Sequence, residues 1–283
     1  MLQKFLLMAS FIILTSCNAL MGGSSGGERT SNTSSGSSSA SSKGNSHWPD
    51  NRLPLTITYS DDFSNSDHSY FSSMLGKWET ATNGGKDFFT STTTGPNVER
   101  QNLEDYYDGE MGIYRLTDWP SSLSSDALAV TQYFGVTRID SSGRSYIELE
   151  HADIFINEEN WNFSTNGSNG TYDLPSIILH ETGHLLGLDH SSSNTVMGPT
   201  ISAGTIQRSL TATDEYNIQN NYGLTGSSSF SSMAISGTMD AQLLGTELAH
   251  PNEGSEDTGS YDGKLVRGFI LLSASGECQH YLL

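Results

Sequence analysis

His180-Glu181-Thr182-Gly183-His184-Leu185-Leu186-Gly187-Leu188-Asp189-His190 is the stretch on which the reading of this 283-residue chain turns. At about 3.6 residues per helical turn, side chains four apart share a face, so His180 and His184 can offer two imidazole nitrogens to one cation. Glu181, one residue on, lies beside that pair, where a carboxylate can reach a metal-held water without joining the coordination sphere. Gly187 has no Cβ and can leave the helix at positive φ, turning the chain so that His190 approaches from another direction. Three neutral nitrogen ligands with a fourth position left open describe a catalytic zinc site, whereas a structural one is closed by four protein ligands.

Upstream, Asp173-Leu174-Pro175 supplies a capping acid and a first-turn proline, whose missing N–H costs nothing there. Ile177, Ile178, Leu179, Leu185 and Leu186 give this helix apolar faces that fix the histidine rotamers by packing. Downstream, Thr195-Val196-Met197-Gly198-Pro199 follows, and then Leu210-Thr211-Ala212-Thr213-Asp214-Glu215-Tyr216-Asn217-Ile218-Gln219-Asn220-Asn221-Tyr222-Gly223. The pattern His180, Glu181, His184, Gly187, His190 resembles the elongated zinc motif of the metzincin metallopeptidases, and Met197 is similar to their Met-turn residue. Ser191 after the third histidine, and the segment closing on Tyr222-Gly223, resemble the matrixin group, the matrix-metalloprotease-like enzymes.

That resemblance implies an α+β fold with α/β/α sandwich-like layering: a twisted, mixed, five-stranded sheet, a zinc-binding helix, a Met-turn and a C-terminal helix. It implies a zinc endopeptidase, in which Glu181 takes a proton from a metal-activated water attacking a peptide carbonyl and returns it to the leaving amine. The ligands would be His180, His184 and His190, with Met197 an apolar support beneath them. Residues Gly198 to Ile201 would wall the pocket that takes the side chain after the scissile bond, and their small and apolar character points to an apolar, roomy one. Ala127 to Gly135 takes the place of the family's edge strand, which can accept an extended peptide. Glu159-Asn160-Trp161 is loosely similar to the Glu-x-Trp of vertebrate-type matrixins. His151, Asp153, Asn157, Glu158 and Glu159 do not complete a ligand set, so calcium or a second zinc is possible but not predicted, and His151 with Asp153 reads as a surface pair.

Residues 47–223 are long enough for one catalytic domain with its own core. Strands are expected over Leu53–Tyr59, Phe88–Thr92, Met111–Leu116, Ala127–Val136 and Ser145–Asn157, from alternation and β-branched content bounded by Gly, Ser and Asp. Tyr70, Phe71, Met74, Leu75 and Trp78 recur at helical spacing between Asp67 and Asn83 and should form one buried stripe.

Lys4 and the apolar run Phe5 to Leu14 form a signal-peptide core, too short to span a bilayer, which takes about 20 residues. Leu14-Thr15-Ser16-Cys17 resembles the bacterial lipoprotein box, so residues 1–16 are expected to be removed and Cys17 lipidated. From Asn18 to Ser46 there are 11 Ser and 6 Gly in 29 residues, a flexible tether with a mean span on the order of 30 Å. A lipid anchor in the bacterial envelope, at the outer membrane or cell surface, or else secretion, follows from this leader. With Cys17 lipidated, Cys278 has no cysteine partner in the chain. A net charge of −19 argues against nucleic-acid binding and leaves protein or peptide substrates as partners of an expected monomer. Residues 224–283 fall outside the family pattern, with strands expected over Phe230–Met239 and Leu265–Ser273 in an accessory module or flap of unread purpose. The alternative to an enzyme is a catalytically silent surface lipoprotein that uses the fold for binding or adhesion; an intact Glu181 speaks against it.

Overall fold

In the computed structural model, residues 45–100, 102–140, 143–225, 263–275 and 279–282 are described. The expected signal peptide, Cys17, nearly all of the tether, the Phe230–Met239 strand and Cys278 lie outside them.

The chain opens with β1 (Ser46–His47) and β2 (Leu55–Ser60), then α1 (Asn65–Ala81), β3 (Phe89–Gly95), a 3-10 turn (Leu103–Tyr106), β4 (Gly112–Leu116), β5 (Ala127–Ile139) and β6 (Ser145–Asn157). Two short strands, β7 (Phe163–Ser164) and β8 (Tyr172–Asp173), lead into α2 (Leu174–Leu185), followed by α3 (Ala212–Asn221), β9 (Leu265–Ser273) and β10 (Gln279–Leu282). The five strands expected from alternation are all present, and the sheet is mixed: β2 runs parallel to β3 and β4, and β4 parallel to β6, while β5 is antiparallel to β6.

Three further strands join it. The order is β10-β9-β5-β6-β4-β2-β3, with β1 pairing β6 in parallel, so the sheet has eight strands where five were expected. The difference that matters most for function is at β5, which was expected to be an open edge. It is bonded on both sides, to β6 and, antiparallel, to β9 from the far end of the chain. Alternation within each strand identifies segments that can pair but not which partner they take, and the β5–β9 pairing joins segments more than a hundred residues apart.

Alternate residues of the strands feed two apolar clusters. Ile57, Ile113, Ile154, Ile156, Ile270 and Leu272 face the helices, together with Trp78 of α1, Ile177 and Ile178 of α2, and Ile218 of α3. Tyr114, Val130, Phe155, Phe269 and Leu271 face the other way, onto Leu103 and Tyr106 of the 3-10 turn and Trp119 and Leu123 of the loop beyond. Among the described residues, then, helices cover one face and turn and loop the other.

Each helix starts where its capping chemistry begins. Ser64 and Asp67 form a capping box on α1, as Thr211 and Asp214 do on α3, and Asp173 accepts from the Ser176 amide to cap α2, with proline in its first turn. Every residue of α2 is buried, and its last carbonyls are satisfied by other elements. Trp48 Nε1 donates to Leu185 O at 2.7 Å and the Tyr222 hydroxyl to Leu186 O at 3.0 Å, while Trp78 Nε1 bonds Leu179 O at 2.9 Å. The helix that carries the histidines is thus held from three directions.

Candidate metal centre

His180 and His184 are buried, project from one face of α2, and have ring centroids 4.5 Å apart. Gly187 ends the helix at φ +87, and a Cβ there would fall on the Ser46 carbonyl, so both the turn and the close approach demand glycine. Beyond this turn His190 returns, its ring 5.3 Å from His180 and 4.7 Å from His184. One ring nitrogen from each of the three lies within 4.8 Å of the others, and among the described residues this trio is the single such cluster of three or more.

The hydrogen bonds decide which nitrogens are offered. His180 Nδ1 is 2.7 Å from Val196 O and His184 Nδ1 is 2.7 Å from Leu188 O; since a carbonyl only accepts, both Nδ1 atoms carry the proton. Both Nε2 atoms of the neutral rings therefore present lone pairs, and they stand 2.9 Å apart. Two facing lone pairs repel unless a cation lies against them, and ligands on one tetrahedral zinc are about 3.3 Å apart at Zn–N bonds of about 2.0 Å. A backbone carbonyl behind a ligating imidazole is also the usual way of fixing its tautomer. Burial moves His180 the same way, taking its pKa down to about 4, against which its bond to Val196 O and the charge of Asp214 act weakly. The donor set fits zinc.

Glu181 is fully buried on the same helix. Its Oε2 accepts from the hydroxyl of Thr131, on β5, at 2.6 Å, while Oε1 has no hydrogen-bond partner among the described residues. A buried carboxylate oxygen left unbonded is expensive in an ordinary core. Burial pushes the carboxyl pKa up to about 8, partly countered by Thr131; a bound divalent cation would act in the opposite direction. Sequence reasoning missed Thr131, since a threonine in a strand carries no signal of what it faces 50 residues later.

Met197 is fully buried beneath the site; a Cβ on Gly183 would land on its sulfur and within 2.8 Å of Trp78, so α2 passes over the methionine only because position 183 has no side chain. The loop from Ser191 to Met197 is closed by Ser191 N donating to Met197 O at 2.7 Å. Asp214, the fully buried capping residue of α3, accepts from Val196 N at 3.0 Å and Met197 N at 3.3 Å, which ties the C-terminal helix to the turn.

The residues considered for a second metal do not converge. His151 and Asp153 are both buried, with Nε2 to Oδ2 at 2.8 Å, and Asp153 Oδ1 accepts from Gly112 N at 3.0 Å. They are a core pair and not the surface pair expected, because the alternation of β6 breaks down where both of its faces are covered. Glu158 pairs with Arg115, Glu159 accepts from Trp119 N, and Asn157 binds Ala127 O at 2.7 Å; each serves local structure.

A buried helix bearing two histidines and a glutamate, a glycine turn to a third histidine, and a methionine turn underneath form the arrangement that the resemblance to metzincins implied. Residues 145–223 match the sequence model of the Matrixin family (Peptidase_M10), so this part of the chain is similar to the matrixin-type metzincins. The chain is also similar to Metalloendoproteinase 2-MMP of Arabidopsis thaliana, 29% identical over 183 residues, covering 64% of this chain and 44% of that protein. It thus spans less than half the length of that relative. Among solved structures, high choriolytic enzyme 1, a hatching-enzyme zinc-protease of the medaka Oryzias latipes, matches at 15% identity over 51% of this chain and 50% of that one. Its TM-score of 0.22 is too slight to bear on the fold.

Proposed function

We propose that the chain is a zinc-dependent endopeptidase acting on extracellular protein substrates, with His180, His184 and His190 as metal ligands and Glu181 as general base. The observation that carries this is the buried carboxylate oxygen of Glu181, without a hydrogen-bond partner among the described residues, on the same helix as two imidazoles whose lone pairs face each other. A zinc ion held by these nitrogens supplies Lewis acidity, which makes water a nucleophile near neutral pH and polarises a peptide carbonyl. The protein's own groups do the rest. The carbonyls of Val196 and Leu188 keep the protons on Nδ1 and so keep both Nε2 atoms available. Thr131 fixes Glu181 through Oε2, leaving Oε1 to accept a proton from the attacking water and deliver it to the departing amine. Met197 and Gly183 set the floor under the rings.

The test is cleavage of casein or gelatin by the purified chain, with and without chelator, beside Glu181→Ala. General acid–base catalysis is worth about 10²–10⁴-fold, so the variant is expected to lose activity by that factor with its zinc content unchanged. Equal turnover by variant and parent would remove the mechanism. One zinc per chain with no turnover on any peptide, in the parent and in a variant with the strand Leu265–Ser273 displaced alike, would favour a binding module instead.

We further propose that residues 1–16 are a lipoprotein signal, that Cys17 carries the lipid, and that the serine- and glycine-rich stretch to residue 46 tethers residues 47–223 to a bacterial envelope. Mass spectrometry of membrane-extracted protein tests this: the N-terminal peptide should begin at a diacylated Cys17, and an unmodified N-terminus from secreted material would contradict it.

A further inference from the structure

We propose that the C-terminal strand β9 lies in the substrate cleft as a built-in occupant, so that the enzyme is held latent by its own chain until Leu265–Ser273 is displaced. This rests on the peptidase reading of the site. The strand runs antiparallel along β5, with Thr131 in register with Ile270 and Ala129 with Leu272. Thr131 is the residue whose hydroxyl holds Glu181, so the strand crosses directly beside the general base. Two residues further on, Leu272 is 1% exposed and lines the same small cavity as His180, Val196, Gly198, Ile201 and Gln207. This is the cavity between the metal helix and the 196–201 segment, and with Leu272 in place only about 10 Å³ of it remains, at most one water.

The strand is also held from the opposite side. There Ser273 N donates to Pro199 O at 3.2 Å and Ser273 bridges Thr200 in parallel, and Gly268 to Leu271 pair with β10, while on the β5 side Ala274 N donates to Asp126 O at 3.1 Å. Main-chain bonds on both flanks with a side chain in a pocket between them are how an extended peptide is captured by a sheet edge. The strand's sequence suits this berth. Gly268 lies where a Cβ would fall on the Tyr133 ring, and the Asp126 carboxylate takes hydrogen bonds from Ser273 Oγ at 2.7 Å and Ser275 N at 3.2 Å. Any substrate strand seeking the same bonds must first find β9 elsewhere, and its apparent affinity falls by the fraction of molecules in which the cleft is open.

The experiment uses the full chain and two displacing variants, Leu272→Asp, which puts a charge in the apolar cavity, and Gly268→Val, which collides with Tyr133. The milder Leu272→Ala serves as a third if either loses its melting transition. Two readouts are taken. Hydrolysis of a quenched fluorescent peptide is expected to rise at least about tenfold in the displaced variants, and a synthetic peptide spanning Gly268–Ser275 is expected to inhibit them competitively. In the Glu181→Ala background, a fluorescein-labelled copy of that peptide is expected to bind at least about tenfold more tightly once Leu272→Asp is added, by fluorescence polarisation. Folded variants with unchanged hydrolysis and unchanged peptide binding overturn the proposal, and so does loss of fold in all three, which would make β9 an obligatory member of the core. Tighter peptide binding without hydrolysis by any form leaves the occupied cleft standing and removes the peptidase reading; rapid hydrolysis by the parent does the reverse.

Discussion

Thr131 is a small side chain on which much depends. Its hydroxyl occupies one oxygen of Glu181 at 2.6 Å, so in the proposed mechanism the proton-handling role falls to Oε1. Thr131→Val keeps the shape and removes the donor. We expect kcat to fall about tenfold with zinc content unchanged, a loss of roughly 1.4 kcal/mol from one hydrogen bond to a charged group; an unaltered kcat would show that the carboxylate is positioned by packing alone. Gly187 acts through backbone geometry instead. An alanine there must adopt φ +87 and also meet the Ser46 carbonyl, at a combined cost of about 2–4 kcal/mol. Since the turn aims His190, Gly187→Ala should lower zinc affinity in a competition titration more than it lowers the denaturation midpoint of the chelated protein.

At the scale of elements, Asp214 joins α3 to the Met-turn. One carboxylate caps the helix through Thr211 N at 2.8 Å and receives Val196 N and Met197 N, and Val196 O is the acceptor that fixes the His180 tautomer. Asp214→Ala therefore removes a cap and leaves two buried amides unbonded, an expected loss of about 3 kcal/mol in urea unfolding together with weaker zinc retention. A loss below about 1 kcal/mol would mean that water replaces the carboxylate without consequence. The elements themselves were largely legible in the sequence, because α2 announces both its ends through Asp173, Pro175 and Gly187, and because β9 carries the short apolar run Phe269–Leu272 of a strand buried on both faces. Their partners were not. Nothing local to Leu265–Ser273 tells it to lie against β5, and nothing local to Thr131 tells it to face Glu181; both facts belong to long-range pairing.

Across the molecule, the proposed metal site is a joint between layers: α2 would supply two ligands and the base, the turn after it the third, β5 the anchor for the base, and the 195–197 segment the acceptor behind His180. The candidate ligand set was readable because it occupies 11 consecutive residues, whereas the assembly around it draws on residues from 46 to 222. A cation bound at such a joint stabilises the whole fold by mass action, about 4 kcal/mol at a thousandfold excess over Kd. Chelation should therefore lower Tm by several degrees, reversibly on adding zinc; a Tm indifferent to chelator would mean that the layers hold without the ion. The most direct measurement of the central claim is the metal content of the purified full chain beside its His190→Ala variant, by elemental analysis after exhaustive dialysis. Convergence of His180, His184 and His190 on one cation predicts one zinc per chain in the parent and a marked deficit in the variant; a folded parent that takes up no zinc, or a variant that holds it equally well, would contradict it.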